Sequence, residues 1–210
     1  MSATNAYKPS AYPPSETALL LLDCQNVLVN MIQDPAQKEK FINSTKTLLD
    51  AARKNNVTIV HCLIDTTQDP PPANKATEHW ATVHKPLLAS MPDSGAEYAD
   101  LSPKTGDGGG NSKETVSTRP PGYKSVLVAD GLVPLLRDSH IKHLVLGGIA
   151  TSGAVLGTVT HGTDLDFVVT AVEDACWDPN QVVHRALMDT VSPTQAWVAG
   201  VDEAVGYFSA

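Results

Sequence analysis

The chain has 210 residues, 42% of them hydrophobic and 5% aromatic, with 15 basic against 23 acidic side chains for a formal charge of −8. That length suits one domain with a sizeable core. The acidity, unbroken by any Lys/Arg cluster, argues against nucleic acid and anionic membrane as partners. The longest apolar run, Ala18 to Leu22, is far too short to span a bilayer, and the polar stretch Met1 to Ser15 lacks a signal-peptide pattern. Cys24, Cys62 and Cys176 stand in neither paired nor ligand spacing, so a reduced, cytoplasmic compartment is expected.

Residues 1–16 read as an irregular arm and 17–210 as one α/β domain. Thr17 to Leu22 is a continuous apolar run, the pattern of a strand buried on both faces. Ala36 to Lys54 has helical spacing through Phe41, Leu48, Leu49 and Ala52, and Asn55-Asn56 stops it. Val57 to Ile64 is a second buried strand. Asp69 to Ala73, with three consecutive prolines, and the Gly-rich Ser102 to Lys113 read as surface loops, with a helix over Thr77 to Ser90 between them. Further on come a helix (Leu132 to Ser139), a strand (Lys142 to Leu146), a helix (Thr151 to Thr163) and a strand (Asp166 to Val172). A helix over Pro179 to Val191 and a last strand over Ala196 to Val201 complete the chain. Such alternation implies right-handed crossovers and a parallel sheet covered on both faces, with any site at the C-terminal strand ends.

Three places meet that condition. Asp23 directly follows the first strand, where a carboxylate can serve as general acid or base, although a lone Asp there is more often a turn cap. Gly147 to Ala154 (GGIATSGA) runs from a strand end into a helix start, whose free N–H groups can hold an anion or oxyanion; close strand–helix packing would explain the glycines equally well. Thr118 to Lys124 brings Arg119 and Lys124 near a plausible cleft, against the ordinary expectation that such cations are solvated surface.

No metal site is expected. Asp65-Thr66-Thr67 lacks the histidine of a DxH pair, and His79 and His84, five apart, do not share a helix face well. His140 and His143 straddle a helix end, and His161 and His184 read as surface or core-edge residues. Trp80 suits a lid or a packing role, and Trp177 a structural role or a subunit contact. No GxGxxG follows a strand, which disfavours a flavin or nicotinamide oxidoreductase.

Together, ALLLLDCQN (Ala18–Asn26), a basic residue, LVLGGIATSGAVLGTVTHGTDLDFVVTAVEDACWD (Leu144–Asp178) and VHRALMDTVSPTQAWV (Val183–Val198) resemble the isochorismatase-like cysteine hydrolases over Thr17 to Asp202. The resemblance implies a doubly wound, mainly parallel six-stranded sheet with helices on both faces, a Rossmann-like three-layer sandwich. It also implies a small-molecule substrate, no cofactor, and a homo-oligomer (dimer or tetramer). Amide-cleaving members use an Asp–Lys–Cys triad. Asp23 falls at the Asp position, Arg119 at the Lys position with Lys124 as runner-up, and Ala154 where the nucleophilic Cys would stand. Oxyanion-binding amides, next to a non-proline cis peptide, map to Ile149–Ala150 and Ala154, with Thr151 and Gly153 in the same cradle.

Without a thiolate at position 154 no acyl-enzyme can form there, and arginine will not shuttle protons as lysine can. Cys24 should point to the opposite face, and Cys176 resembles a packing residue. True isochorismatases resemble this chain in lacking the Cys and cleave a vinyl ether, which needs only a carboxylic acid and water. The expected function is hydrolysis of a small metabolite at a vinyl ether or amide C–N bond with Asp23 as acid/base. The alternatives are a catalytically silent binding protein and an engineered Cys→Ala form of a cysteine amidohydrolase.

Overall fold

The computed structural model describes residues 5–91, 93–104 and 113–209. Six strands form one all-parallel sheet: β1 (Thr17–Leu22), β2 (Thr58–Ile64), β3 (Glu114–Arg119), β4 (His143–Ile149), β5 (Val168–Trp177) and β6 (Trp197–Ala199), in the order β3-β2-β1-β4-β5-β6. The chain winds outward from β1 to β3, then returns to pair β4 against the other side of β1. The C-terminal ends of β1 and β4 therefore flank a topological switch point, where the crevice of an open α/β sheet lies.

The alternation within β1 sets the layers. Ala18, Leu20 and Leu22 belong to one apolar cluster, Leu19 and Leu21 to the other, and all five are fully buried. A continuous apolar run is thus the signature of a strand covered twice. The first cluster packs under α4 (Leu132–Asp138), α5 (151–164) and α6 (181–191), and the second under α2 (Pro35–Lys54) and α7 (Val201–Gly206). Truncating any of these leucines to alanine would cost about 2–5 kcal/mol. Helix α2 is set by its ends: Asp34 Oδ1 accepts from the amides of Ala36 (2.9 Å) and Gln37 (3.3 Å), Pro35 opens the first turn, and Arg53 and Lys54 lie in the last.

Four elements differ from the sequence reading. Glu114–Arg119 (ETVSTR) is an edge strand that the sequence reading did not assign; with Glu114, Ser117 and Arg119 among its six residues it lacks the apolar run of its neighbours. Of the Gly-rich stretch before it, residues 105–112 lie outside the described residues. Strand β5 continues beyond Val172 through Glu173 and Asp174 to Trp177, with a register shift against Leu146/Gly148 on β4. Beyond Ala199 the chain turns into α7, which the last strand had been expected to overrun.

The remaining difference concerns α3, which spans 76–90 as Ala76–His79 and Lys85–Ser90 flanking a π-helical turn, Trp80–His84. A π turn hydrogen-bonds i→i+5 and is wound wider than an α-helical one, which brings positions five apart closer to one face. His79 and His84 therefore do share a face, with ring centroids 4.7 Å apart in an edge-on arrangement.

Candidate active site

A cavity of about 860 Å³ opens at the switch point. Its floor is set by three strand ends. Asp23 follows β1 with φ 57°, a left-handed conformation that Asp tolerates better than most residues. Its amide donates to the Cys62 carbonyl of β2 (2.8 Å). Arg119 ends β3 and reaches across β2: its Nη1 donates to Asp23 Oδ1 at 2.7 Å and its Nη2 to Oδ2 at 2.8 Å. Both side chains are buried, Arg119 to 3% and Asp23 to 5% exposure. Arg119 also donates through Nε to the Tyr123 carbonyl (3.2 Å) and through Nη2 to that of Lys124 (3.5 Å). Four of the five guanidinium hydrogens are thereby engaged.

Burial pushes the Asp23 carboxyl above its ordinary value of 3.8, opposed by the Arg119 hydrogen bonds and charge and, less strongly, by Lys124. Burial also works against the Arg119 charge, but the Asp23 carboxylate more than offsets it and holds the guanidinium protonated. Each Asp23 oxygen accepts one bond from Arg119 and keeps a second lone pair for another donor.

The third strand end supplies the opposite wall. Gly148 packs its backbone against the Leu22 carbonyl, with φ 146°, and the Ile149–Ala150 peptide that follows is cis. Ile149, Ala150, Gly153 and Ala154 all face the cavity. Thr151 turns away from it: its hydroxyl lies 2.8 Å from His184 Nδ1, and both side chains are buried. The start of α5 is secured from the β5 side, where Asp178 Oδ2 accepts from the Ser152 amide at 2.7 Å. Asp23, Arg119, Ile149, Ala150, Gly153 and Ala154 thus meet in one cavity, which Lys124 also lines.

No thiol faces this space. Cys24, Cys62 and Cys176 are buried and unpaired by disulfide, within the two apolar clusters. Burial pushes all three thiols up, Cys176 to about 12, which removes thiolate character. Position 154 presents only a methyl group, 4% exposed.

Of the outer wall, the sequence reading singled out Trp80 alone, as a lid or packing residue. Helix α3 contributes His79, Trp80, Val83, His84 and Leu87, and the single turn α1 (Asn26–Val29) faces it. Trp80 is buried, with its ring centroid 6.0 Å from that of His84. Desolvation, and then the neighbouring His79, lower the pKa of His84 below its ordinary 6.5. The i, i+5 spacing becomes informative only once the helix is known to be π-helical there.

An isochorismatase domain model matches residues 17–203. Over 75 residues the chain is 35% identical to the ureidoacrylate amidohydrolase RutB of Acinetobacter baylyi, an alignment covering 35% of this chain and 31% of that protein's length. Among solved structures, an isochorismatase family protein from Burkholderia thailandensis superposes with a TM-score of 0.73 at 19% identity, over 93% of this chain and 97% of that one. N-carbamoylsarcosine amidase from Thermoplasma acidophilum superposes with a TM-score of 0.66 at 17% identity, over 89% and 97% of the two chains.

Proposed function

The chain belongs to the isochorismatase family, and from that premise we propose that it hydrolyses a small metabolite through water and Asp23, without a covalent enzyme intermediate. The single observation that carries this reading is the buried, two-pronged Asp23–Arg119 pair on the cavity floor, opposite the Ile149–Ala150 peptide and Ala154. Residues 17–210 are the catalytic unit in this reading and 1–16 an arm, and the protein acts as a cytoplasmic homo-oligomer, which sedimentation would check.

For an amide C–N bond, the substrate class suggested by the amidohydrolase and amidase among its relatives, Asp23 takes a proton from water through a free lone pair. The water oxygen adds to the carbonyl carbon, and backbone amides around Ala150 and Ala154 hold the oxyanion. The proton then passes to the leaving nitrogen as the C–N bond breaks. For a vinyl ether the order reverses: protonated Asp23 gives its proton to the alkene carbon, water adds to the oxocarbenium carbon and returns a proton to Asp23, and the hemiketal collapses. Burial, which favours the acid form of Asp23, supports the second route. Arg119 orients the carboxyl in both.

A second reading, a binding protein without turnover, draws support from the methyl group at position 154 and the burial of every cysteine. The discriminating experiment assays the protein, Asp23→Asn and Ala154→Cys against isochorismate, nicotinamide and N-carbamoyl compounds. We expect turnover by the unmodified chain, abolished in Asp23→Asn and not dependent on Ala154→Cys. Turnover confined to Ala154→Cys would instead mark a disabled cysteine hydrolase. Silence from all three, with a ligand-dependent rise in Tm, would establish the binding protein.

A further inference from the structure

The cavity is far larger than its reactive floor, and its chemistry changes from floor to mouth. Near the floor stand one carboxylate, Asp23, and two cations, Arg119 and Lys124, and the described lining residues include no other acidic side chain. Arg119 is engaged with Asp23 and two carbonyls. Lys124 is exposed and has no carboxylate within ion-pair distance among the described residues, while its charge is felt at Asp23. The unspent charge of the site is therefore positive and sits on Lys124.

The mouth is apolar on both lips. Val83, Leu87 and Met91 of α3 and its end line one side, and Leu28 and Met31 the other. Val83 (43%), Leu87 (41%), Met91 (38%) and Met31 (44%) are exposed. Apolar side chains held in water on two facing lips, continuous with a charged floor, match a ligand with a charged head and an apolar arm. A volume of about 860 Å³ lies high in the roughly 300–1,000 Å³ range of pockets that bury most of a drug-sized ligand.

We propose that the substrate is an amphiphilic carboxylate, its anionic group drawn to Lys124, its scissile bond at Asp23, and an apolar arm of about six or more carbons lying between α3 and Met31. This rests on the hydrolase reading for its middle clause alone; the head and arm contacts hold for a bound ligand whether or not it reacts.

The test is calorimetric titration of the unmodified protein with butanoate, hexanoate and octanoate, and with uncharged octanamide. We expect affinity to rise about tenfold or more from butanoate to octanoate, as methylenes leave water between the lips, and octanamide to bind several-fold more weakly than octanoate. Lys124→Gln should erase the octanoate–octanamide difference. Leu87→Gln, at an exposed position, should flatten the chain-length trend while leaving the fold intact. A flat series in the unmodified protein overturns the proposal. So does a dimer that Leu87→Gln converts to monomer, since the lips would then be covered by a second copy. Chain-length-dependent binding without hydrolysis of isochorismate or of any N-acyl or N-carbamoyl compound upholds this inference while the hydrolase reading fails. Turnover of compact substrates with flat binding does the reverse.

Discussion

Nδ1 of His61 lies 2.7 Å from Oε1 of Glu97, while Nε2 of the same ring lies 2.9 Å from Oε1 of Glu114. Arg53 closes the cluster, donating to both Glu114 oxygens at 3.1 and 2.6 Å and to the Ser102 carbonyl at 3.2 Å. All of this is buried under the β2–β3 edge, with the Glu97 and Glu114 side chains 5% and 4% exposed and His61 at 0%. Glu97 also pairs through its backbone with Gln25, whose side chain holds Ile64 and Gly95 beside the cavity. The cluster therefore ties the wall segment around Ser94 to the sheet.

Replacing His61 by leucine should leave Glu97 buried without a partner and cost about 3 kcal/mol, the loss expected when one member of a buried charged group is removed. Urea unfolding measures this directly. A change under about 1 kcal/mol would mean that the carboxylates rearrange into water at little cost.

Asp23 and Arg119 should behave as a coupled pair. Arg119→Met strands the Asp23 carboxyl, and Asp23→Asn strands the guanidinium, each at a cost of about 3 kcal/mol. The double variant should lose less than the sum of the two single changes. A double-mutant cycle in urea checks this, and strict additivity would contradict the two-pronged geometry.

Stability should fall with acid below neutrality because of His143. Burial pushes this residue from its ordinary 6.5 down to about 3, and its ring sits between the Thr170 hydroxyl (2.9 Å) and that of Thr17 (3.4 Å). The folded pKa is the lower one, so as pH drops below 6.5 the unfolded chain binds a proton that the folded chain refuses. The contribution is complete above 6.5 and declines from there toward 3, by up to about 1.4 kcal/mol per pH unit. Urea midpoints at a series of pH values should show the slope, and His143→Gln should flatten it; an unchanged slope would assign the acid sensitivity to other groups.

Gly148→Ala should be among the most damaging small changes. A Cβ there would lie 2.1 Å from the Leu22 carbonyl oxygen, on a backbone with φ 146°. Strands β1 and β4 would have to part where Asp23 and Ile149 face each other, at a cost of about 3 kcal/mol. Thermal unfolding of the variant tests this, and an unchanged Tm would rule out so close an approach.

Local physics made much of the molecule legible in advance. TALLLL has the pattern of a strand buried on both faces, helix α2 carries its cap and stop residues in plain order, and strand–helix alternation implies a parallel, doubly covered sheet. Asp23 and the GGIATSGA turn were visible for the same reason, since each sits next to an apolar run whose end locates it at the mouth of the sheet. Other features depend on contacts distant in sequence. The strand character of ETVSTR comes from pairing with β2, not from its own composition, and that pairing carries Arg119 to Asp23, 96 positions away along the chain. The meeting of His79 with His84 needs a π turn that spacing in an ordinary α-helix would forbid. The His61 cluster likewise joins polar and charged residues from α2, β2, β3 and a loop, whose burial none of those segments announces alone. Residue pattern and caps determined most of the elements and their order; pairing across the sheet decided the strand character of β3 and which charged groups would share the interior.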